Sequence, residues 1–530
     1  MSGSELDSVY NKFLQVRAPQ LAELPQTLAR EDLKCGFDIV TTVKMNFNNF
    51  SADQQKLLEP LVSRPVLETS MDSPYGYFRI HYNSSGPSAP SYIPGTVTEN
   101  VMEVAKALDS TYRFEVTYLD YLPPPSDNGA GGNNLYDVYI VNQPSGLYGY
   151  TELELRVGPT SWTSFAVIDN NYVGYYSQGL DGMDVTVAHE FHHGIQVGNY
   201  AVLNGTSPLR SGDVFFYEIT STSMEEFVYD DVNDYYAYMP DYFMNVDKAF
   251  PNQNGYNLAI WNLYLKERFN YDLIKRQWEM IPILEAIIAI NNSLIERGAT
   301  LKEELNNFGV WTYFTNSRAI AGIYFEEAAN YPLISLTTTF EFLPPSTSMN
   351  GSVPPTANNF VKINLPSGND FFVTLISNGD AEAANINPNQ FFSFIYSLFN
   401  YNEIGSELIV NNYYYIFDSP FESHFSVNHI FNDIASADEG FLSQVFCLYQ
   451  NYPNPFNPIT KIKYQIPELS FVIFKVYDAL GNEVAILVNE EKTFGNYEVE
   501  FNAIGLSSGI YFYRIQAGSY IEIKKMVILK

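Results

Sequence analysis

The spacing H-E-x-x-H around position 190 is the sequence feature that most constrains the fold of this chain. It is formed by His189, Glu190 and His193. Residues four positions apart lie on one face of an α-helix, so both imidazoles can converge on one cation, with Glu190 offset toward the open coordination position. Asp184 as N-cap and a stop near Gly198 delimit the predicted helix. Three of the six histidines of the chain fall within five positions here, which favours a metal site over a chance match.

The motif supplies two metal ligands, and a third has to come from elsewhere in the chain. A metzincin would continue with glycine at position 196 and histidine at position 199, whereas this chain has Gln196 and Asn199, which excludes that class. A carboxylate on a second helix is the better source. Glu218 and Glu225 share a face at i and i+7 of the segment 215–228. We predict Glu218 as the ligand, because it lies in the first turn and small residues follow it. Glu225 is then either a hydrogen-bond partner of a ligand histidine or a solvated surface residue.

Imidazole and carboxylate ligands suit zinc, which lowers the pKa of a bound water toward about 7. Glu190 is placed to take a proton from that water, so the predicted reaction is peptide hydrolysis with Glu190 as the general base. An oxyanion donor is also required, and three tyrosines downstream of the motif are candidates for it: Tyr229, Tyr235 and Tyr236.

Three further predictions concern the surroundings of the motif. His192 is expected to flank the site or face the substrate, with a solvated surface position as the alternative. The strand 164–169 is expected either to pair with an extended substrate as the edge of its sheet or to be ordinary sheet core. Three acidic residues could bind calcium through oxygen ligands, although their spacing fits no EF-hand and a solvated acidic loop is favoured: Asp230, Asp231 and Asp234.

Secondary-structure patterns divide the chain into four regions, and a length of 530 residues also indicates several domains. Residues 1–75 carry apolar positions at helical spacing and predict a small helical region. Residues 76–330 combine short strands with helices and predict an α+β domain. Proline-rich punctuation followed by strands predicts a β-sandwich over 331–440. Short strands and turns over 446–530 predict a small C-terminal antiparallel β-sandwich.

The composition disfavours several classes of partner. With 60 acidic and 29 basic residues, the formal charge of −31 would repel nucleic-acid phosphates and anionic lipid surfaces. No apolar run approaches the roughly 20 residues that a membrane-spanning helix needs. The only cysteines, Cys35 and Cys447, allow at most one disulfide within the chain, and two free thiols are the alternative.

Residues 77–330 resemble a family of secreted bacterial zinc metalloproteases of the gluzincin type, in which a helix downstream of H-E-x-x-H supplies a glutamate. The matching stretches are Tyr77–Tyr82, Pro124–Asp127, Tyr136–Tyr139, Tyr148–Thr151, His189–Gln196, Glu218–Glu226 and Asn233–Tyr236. The resemblance implies a zincin-like catalytic domain over 76–330, a zinc-dependent peptidase activity, and Glu218 as a metal ligand. The second thermolysin motif, E-x-x-x-D, is matched only in part, since Thr222 takes the aspartate position.

The C-terminal region resembles the type IX secretion sorting domain along nearly all of its length. The matching stretches are Tyr452–Pro458, Val476–Asp478, Leu480–Gly481, Ser508–Tyr513 and Lys524–Lys530. The resemblance implies recognition by the type IX secretion machinery of a Gram-negative bacterium, passage through its outer membrane, and release or surface attachment. The stretch Met1–Asp7 lacks the basic and apolar regions of a signal peptide. We therefore expect a trimmed or incomplete N-terminus.

Taken together, these features predict an exported zinc endopeptidase that acts on protein or peptide substrates. The alternative is a non-catalytic surface adhesin or binding protein that retains a zincin-like domain. Intact His189, Glu190 and His193 favour the enzyme, because a binding protein has no need of a general base.

Overall fold

A computed structural model describes most of the chain. The described residues are 2–22, 34–320, 322–336, 338–341, 354–364, 371–379, 394–401, 409–415, 447–451, 453–466, 470–478, 481–493, 495–517 and 520–528. The α-helices among them all precede residue 314, and the strands dominate after residue 337. No helix in these ranges is long and apolar enough to cross a membrane.

The helices lie in two groups along the chain. Those near the N-terminus are Gly3–Arg17, Phe37–Met45 and Ala52–Leu58, and the others are Val97–Tyr112, Gly179–Asn199, Val214–Val228, Met239–Met244, Ala259–Phe269, Tyr271–Met280, Ala286–Glu296 and Leu301–Tyr313. Two of them carry the predicted metal ligands. We call Gly179–Asn199 the motif helix and Val214–Val228 the glutamate helix.

A mixed five-stranded sheet underlies these helices. Its strands are β1 (Thr69–Asp72), β2 (Phe78–Tyr82), β3 (Tyr136–Ile140), β4 (Gly149–Gly158) and β5 (Ser161–Ile168), in the order β1-β2-β3-β5-β4. Strand β3 is parallel to both of its neighbours, whereas β4 is antiparallel to β5. Because β1 belongs to this sheet, the sheet begins inside the region 1–75 that the sequence predicts as helical. A strand of four residues is too short for its periodicity to be recognised.

The edge of this sheet is β4 and not the strand 164–169. Strand β5 lies between β3 and β4 and is paired on both sides. The prediction of a substrate-pairing edge at 164–169 is therefore wrong, and its alternative, sheet core, is correct. Every residue of β5 from Thr163 to Ile168 is buried, as is typical of an internal strand. Strand order depends on pairing between distant segments, and the local pattern does not contain that information.

The side chains of β5 alternate between two buried layers. Phe165 and Val167 share a core with residues of the N-terminal helices, such as Phe13. Ala166 and Ile168 belong to the larger core that contains the motif helix. The sheet therefore lies between these two cores, and Phe37, at the start of the N-terminal helix Phe37–Met45, belongs to the core of the motif helix.

A second five-stranded sheet follows residue 337. Its strands are β6 (Thr338–Glu341), β7 (Ala357–Asn364), β8 (Phe371–Asn378), β9 (Phe394–Tyr401) and β10 (Ile409–Tyr415), paired in sequence order. The helix Leu301–Tyr313 packs on it, and Asn358 Nδ2 donates to Leu305 O at 3.2 Å. The described part of 331–440 is thus one sheet covered by a helix, and the two-sheet sandwich that the sequence predicts over 331–440 stays a prediction. Residues 416–446 lie outside the described ranges.

The C-terminal region is an antiparallel sandwich, as predicted. One sheet contains β11 (Cys447–Leu448), β12 (Ile459–Ile466) and β15 (Gly495–Asn502), and the other contains β13 (Ser470–Asp478), β14 (Glu483–Lys492), β16 (Gly509–Ala517) and β17 (Tyr520–Ile528). Ile462, Phe474 and Tyr513 meet in the core between them. The Tyr513 hydroxyl donates to Tyr449 O at 3.0 Å and accepts from Asn451 N at 2.9 Å. These bonds hold the proline-rich entry segment against the sandwich.

Candidate metal centre

The motif helix is longer than the sequence predicts. It begins after the N-cap Gln178, well before Asp184, and ends at Asn199. Met183 and Val185 are buried, so apolar packing carries the helix past the acidic residue that the sequence predicts as its cap. Packing of a buried face stabilises a helix more than its capping propensity does.

The structure brings His189, His193 and Glu218 to one point. The two imidazole Nε2 atoms are 3.1 Å apart, and Glu218 Oε2 lies 3.3 Å from His189 Nε2 and 3.5 Å from His193 Nε2. Three ligand atoms bound tetrahedrally at about 2.1 Å from a zinc ion would be about 3.4 Å from one another. The three atoms therefore have the mutual spacing of a facial set of metal ligands.

The other ring nitrogens of the two histidines are held by separate partners. His189 Nδ1 is 2.7 Å from Glu225 Oε1, and His193 Nδ1 is 2.8 Å from Gln196 Oε1. The Gln196 amide is oriented by its own donor, which bonds to Tyr217 O at 3.0 Å. A proton on each Nδ1 leaves the two Nε2 lone pairs directed at the same point, which is the tautomer that a metal requires. The structure thus brings Glu225 to His189, a candidate ligand, which is the first of the two positions predicted for Glu225.

Glu218 is a buried carboxylate whose negative charge is stabilised by nearby positive charge. It is 2% exposed, and neither oxygen has a well-aligned hydrogen bond among the described residues. Burial raises the pKa of this carboxyl, but the imidazoles of His193 and His189 outweigh burial and lower the pKa to about 2. Burial lowers the pKa of His189, and the neighbouring Glu218 and Glu225 outweigh it and raise that pKa to about 10. A positive charge is therefore stabilised between these groups, and the spacing of the three candidate ligand atoms fits a metal ion.

Cys35 is a fourth member of this cluster, and the sequence analysis missed it. Its Sγ and the ligand atoms of His189, His193 and Glu218 all lie within 4.8 Å of one another, and all four residues are buried. Cys35 is a free thiol, so it is not paired with Cys447. Burial raises the pKa of this thiol, as do the nearby carboxylates, whereas a bound metal ion would remove its proton. No local motif could have indicated it, since an isolated cysteine far from the histidines has no pattern.

Glu190 lies beside the cluster without belonging to it. It is 1% exposed, and Thr151 Oγ1 lies 2.9 Å from its Oε2 and 2.7 Å from its carbonyl oxygen. Burial raises the pKa of this carboxyl, although His189 and His193 oppose the shift. Gly149 of β4 allows this approach, because a Cβ there would lie 3.0 Å from Glu190 Cγ and 2.8 Å from Val167 O. The carboxylate is therefore held between the edge strand and the metal ligands.

Tyr256 is a second residue of the site that sequence reasoning missed. Its ring lies 6.0 Å from that of His189, centroid to centroid, and it is 6% exposed. Burial and the carboxylate of Glu218 raise the pKa of its hydroxyl well above the ordinary range, so the hydroxyl keeps its proton and can donate it. As one of 41 tyrosines, it carries no distinguishing signal in the sequence.

The tyrosines predicted as oxyanion donors are bonded elsewhere. Tyr229 donates to Ala107 O at 2.9 Å, and Tyr235 donates to Glu327 Oε2 at 2.7 Å. The hydroxyl of Tyr236 lies 3.4 Å from Asn330 Nδ2. The structure does not bring these hydroxyls to the metal ligands. The three tyrosines follow the glutamate helix in sequence, but their hydroxyls bond to groups outside the site.

His192 does not face solvent or a substrate. Its side chain is fully buried, and its Nδ1 lies 2.8 Å from Glu115 Oε2. Burial lowers the pKa of His192 and raises that of Glu115, so the pair forms a bond between neutral groups. The substrate-facing and solvated positions predicted for His192 are therefore wrong, whereas it does flank His193 on the motif helix. Its environment is supplied by the π-helical segment Arg113–Tyr118, which no pattern near the motif indicates.

The three acidic residues considered for calcium are not gathered in one place. Asp234 is fully buried and accepts from Lys34 Nζ at 2.5 Å and from the Tyr148 hydroxyl at 2.9 Å. Asp230 and Asp231 line a separate cavity of about 390 Å³. Within the described ranges, the cluster around His189 is the group of ligating side chains close enough to share an ion.

Gly255 precedes Tyr256 and presses against Glu218. Its φ is +92°, and a Cβ there would lie 2.5 Å from Glu218 Cβ and 2.6 Å from Phe215 O. We expect Gly255→Ala to weaken zinc binding, because the added methyl displaces Glu218 from the cluster. The positive φ alone costs about 1–2 kcal/mol of folding free energy.

Gly298→Ala is the matched control for that substitution. Gly298 has a φ of +77°, but a methyl added there would have no atom within 4 Å. Thermal unfolding should show a loss of stability in both variants, whereas competition with a chelator should show weaker zinc binding only for Gly255→Ala. Equal zinc affinity in the two variants would contradict the placement of Glu218 in the metal shell.

Comparison with known proteins identifies the C-terminal sandwich. Residues 450–529 match the family of secretion system C-terminal sorting domains. No curated protein matches the chain significantly. Among solved structures, the chain is similar to that of PorZ, a surface component of the type IX secretion system of Porphyromonas gingivalis, at 12% identity over 32% of this chain and 39% of that chain. The TM-score is 0.12, and a value this low supports no argument about fold or function.

The sorting-domain match confirms the address predicted from the sequence. The protein is therefore secreted from a Gram-negative bacterium or held at its surface, and its C-terminal region is recognised by the type IX machinery. We expect deletion of residues 446–530 to stop export, because the sorting domain is removed, while the rest of the chain folds around its own cores. Immunodetection in cell and medium fractions of a type IX-competent host measures the effect.

A reporter protein carrying residues 446–530 is the reciprocal control for the deletion. It should reach the outside of the same host, and thermal unfolding should show that the truncated protein is folded. Normal secretion of the truncated protein would rule out this role for the sandwich.

Proposed function

We propose that this protein is an exported zinc-dependent endopeptidase. One observation carries the proposal: the Nε2 atoms of His189 and His193 and the Oε2 atom of Glu218 face one point at mutual distances of 3.1 to 3.5 Å. Both Nδ1 atoms are bonded to other partners, which leaves the two Nε2 atoms to face the metal position. This is the His₂Glu donor set of a catalytic zinc site.

The donor set fits zinc better than the hard cations. Two imidazole nitrogens favour zinc over calcium or magnesium, which prefer oxygen ligands. A zinc ion held by His189, His193 and Glu218 would supply Lewis acidity and lower the pKa of a water toward neutral. Glu225 supports the set by accepting from His189 Nδ1, which makes that imidazole a stronger donor.

Glu190 is the general base of the proposed reaction. It adjoins the three ligands without being one of them, and Thr151 holds one of its oxygens. The carboxylate takes the proton of the attacking water and then delivers it to the nitrogen of the cleaved peptide bond. Its raised pKa favours the second transfer, because a stronger base holds the proton until the amine leaves.

Tyr256 is the proposed donor to the developing oxyanion. Its hydroxyl is buried near Glu218, and its raised pKa keeps the proton in place at neutral pH. A fixed donor near the carbonyl oxygen stabilises the charge that develops there in the transition state.

The edge of β4 is the proposed substrate-binding element. Its first residue, Gly149, lies against Glu190, and the strand continues to Gly158. An extended peptide can add to such an edge through main-chain hydrogen bonds, which place its scissile bond beside the metal. An edge of this kind accommodates residues on both sides of the scissile bond, which favours endopeptidase action.

One experiment distinguishes the peptidase from the alternative, a non-catalytic adhesin or binding protein. Zinc content and casein hydrolysis are measured for the protein and for its Glu190→Gln variant. A binding protein would show the same behaviour in both, whereas a peptidase would lose only hydrolysis.

A further inference from the structure

The segment Lys34–Phe37 enters the metal centre from the N-terminal region. Its cysteine is 7% exposed, and its Sγ lies within 4.8 Å of each of the three ligand atoms. Cys35 also bridges Gly149, and a Cβ on Gly149 would lie 3.0 Å from Glu190 Cγ. The sulfur is therefore at the side of the cluster that faces the general base, where the attacking water of the proposed reaction has to bind.

The backbone of this segment lies along the substrate-binding edge. Lys34 O accepts from Tyr148 N at 2.9 Å, and Gly36 N donates to Gly149 O at 3.1 Å. Cys35 forms a parallel bridge with Gly149 at the start of β4. These are the main-chain groups that an added peptide strand would use. The segment therefore occupies the start of the β4 edge, which we call the substrate groove, in the manner of a bound peptide.

Two side chains anchor the segment on either side of Cys35. Lys34 is 2% exposed and donates to Glu225 Oε2 at 2.8 Å and to Asp234 Oδ2 at 2.5 Å. Phe37 stacks on the imidazole of His193 with the ring centroids 4.1 Å apart. A buried charge with two carboxylate partners, one of which also supports His189, ties the segment to the metal site itself.

The docked segment leaves the site closed. His189, Glu190, His193 and Glu218 are each at most 2% exposed. A peptide substrate could not reach the cluster unless Lys34–Phe37 moved away. The same segment therefore both covers the site and places a sulfur atom beside the candidate ligands.

We propose that the Cys35 thiolate is a fourth ligand of the metal, and that Lys34–Phe37 fills the substrate groove and holds the chain inactive. Thiolate joins imidazole and carboxylate readily at zinc, whose sites are commonly four-coordinate. The backbone amide of Phe37 donates to Cys35 Sγ at 3.3 Å and stabilises the sulfur in its charged form. The inhibitory part of this inference rests on the proposed peptidase function.

Opening the site exchanges one ligand for another. On opening, Cys35 would leave the metal position as a thiol, with one proton taken up from solvent, and a water could then bind beside His189, His193 and Glu218. No oxidant or reductant is required. Displacement of the segment from β4 at the same time frees the edge for a substrate.

The test uses the full chain loaded with cobalt(II), which reports a thiolate ligand by a charge-transfer band in the near ultraviolet. The band is expected in the wild type and in Cys447→Ser, and it is expected to be lost in Cys35→Ser with one cobalt still bound. Cys447→Ser is the matched control because it removes the other thiol. Cys35→Ala is a second variant in which the new side chain cannot bind the metal. Absence of the band from the wild type would overturn the inference whether or not any variant folds.

A second readout is casein hydrolysis by the zinc-loaded proteins, with thermal unfolding as the check on folding. Cys35→Ser should hydrolyse casein roughly tenfold faster than the wild type or more, which corresponds to about nine-tenths of wild-type molecules being blocked. Cys447→Ser should match the wild type. Equal hydrolysis by the wild type and Cys35→Ser would overturn the inhibitory role. A cobalt band that depends on Cys35, with no hydrolysis by either protein, would support the thiolate ligand and count against the proposed peptidase function.

Discussion

Replacing Glu190 with glutamine is expected to remove peptide hydrolysis and leave the metal in place. The amide has nearly the shape of the carboxylate but cannot accept a proton, and Glu190 is not among the groups that converge on the metal position. General-base catalysis contributes roughly 10²- to 10⁴-fold, so kcat should fall by at least about 10²-fold. The comparison is made in the Cys35→Ser background, where the thiol does not compete for the water position.

A buried carboxylate elsewhere on the same core provides the control for Glu190→Gln. Glu226 lies on the glutamate helix, and burial raises its pKa to about 9. It is therefore protonated at neutral pH, and Glu226→Gln changes neither its charge nor much of its shape. That variant should retain zinc and activity. Undiminished turnover in Glu190→Gln, with zinc bound, would refute the general-base assignment.

Replacing Glu218 with alanine is expected to cost far more zinc affinity than replacing Glu225. Glu218 Oε2 faces both imidazole Nε2 atoms, whereas Glu225 reaches the metal only through His189 Nδ1. Loss of a group that orients a ligand typically costs about 10- to 100-fold in affinity. Loss of the direct ligand should exceed that range. Competition with a chromogenic chelator measures both variants.

The geometry around zinc provides a second check on the same assignment. A zinc-bound structure should place a Glu218 oxygen about 2.0 to 2.2 Å from the metal. Glu225→Gln is a useful companion variant, since it keeps an oxygen that can accept from His189 Nδ1. If Glu225 were found at bonding distance instead, the ligand assignment would be wrong while the peptidase proposal remained. If neither carboxylate approached zinc, the His₂Glu site itself would be rejected.

Short-range spacing is enough to predict the core of the candidate site. His189 and His193 are four residues apart on one helix, and Glu218 and Glu225 are seven apart on another. Helical periodicity alone places each pair on one face. The structure then brings the two faces together at 3.3 Å between His189 and Glu218.

The errors concern residues whose surroundings come from distant segments. The sequence predicts His192 beside the site or at the surface, but Glu115 and the helix packing around it make it a core residue. The sequence allows an edge position for the strand 164–169, but β4 returns beside it and takes that position. In both cases the sequence shows the helix or strand itself, but it does not show which distant segment packs against it.

The sequence by itself determined three candidate metal ligands, the candidate base, and where the C-terminal sorting domain lies. These properties depend on residue type and on spacing within single helices or short strands. Only the tertiary structure decided that Cys35, Lys34 and Tyr256 join the same site. Lys34 and Cys35 lie in one segment and Tyr256 in another, both far from the motif in the chain, and packing of the N-terminal segment and the sheet against the motif helix brings them together. Contacts of that kind are set by the burial of whole layers, which no single stretch of sequence encodes.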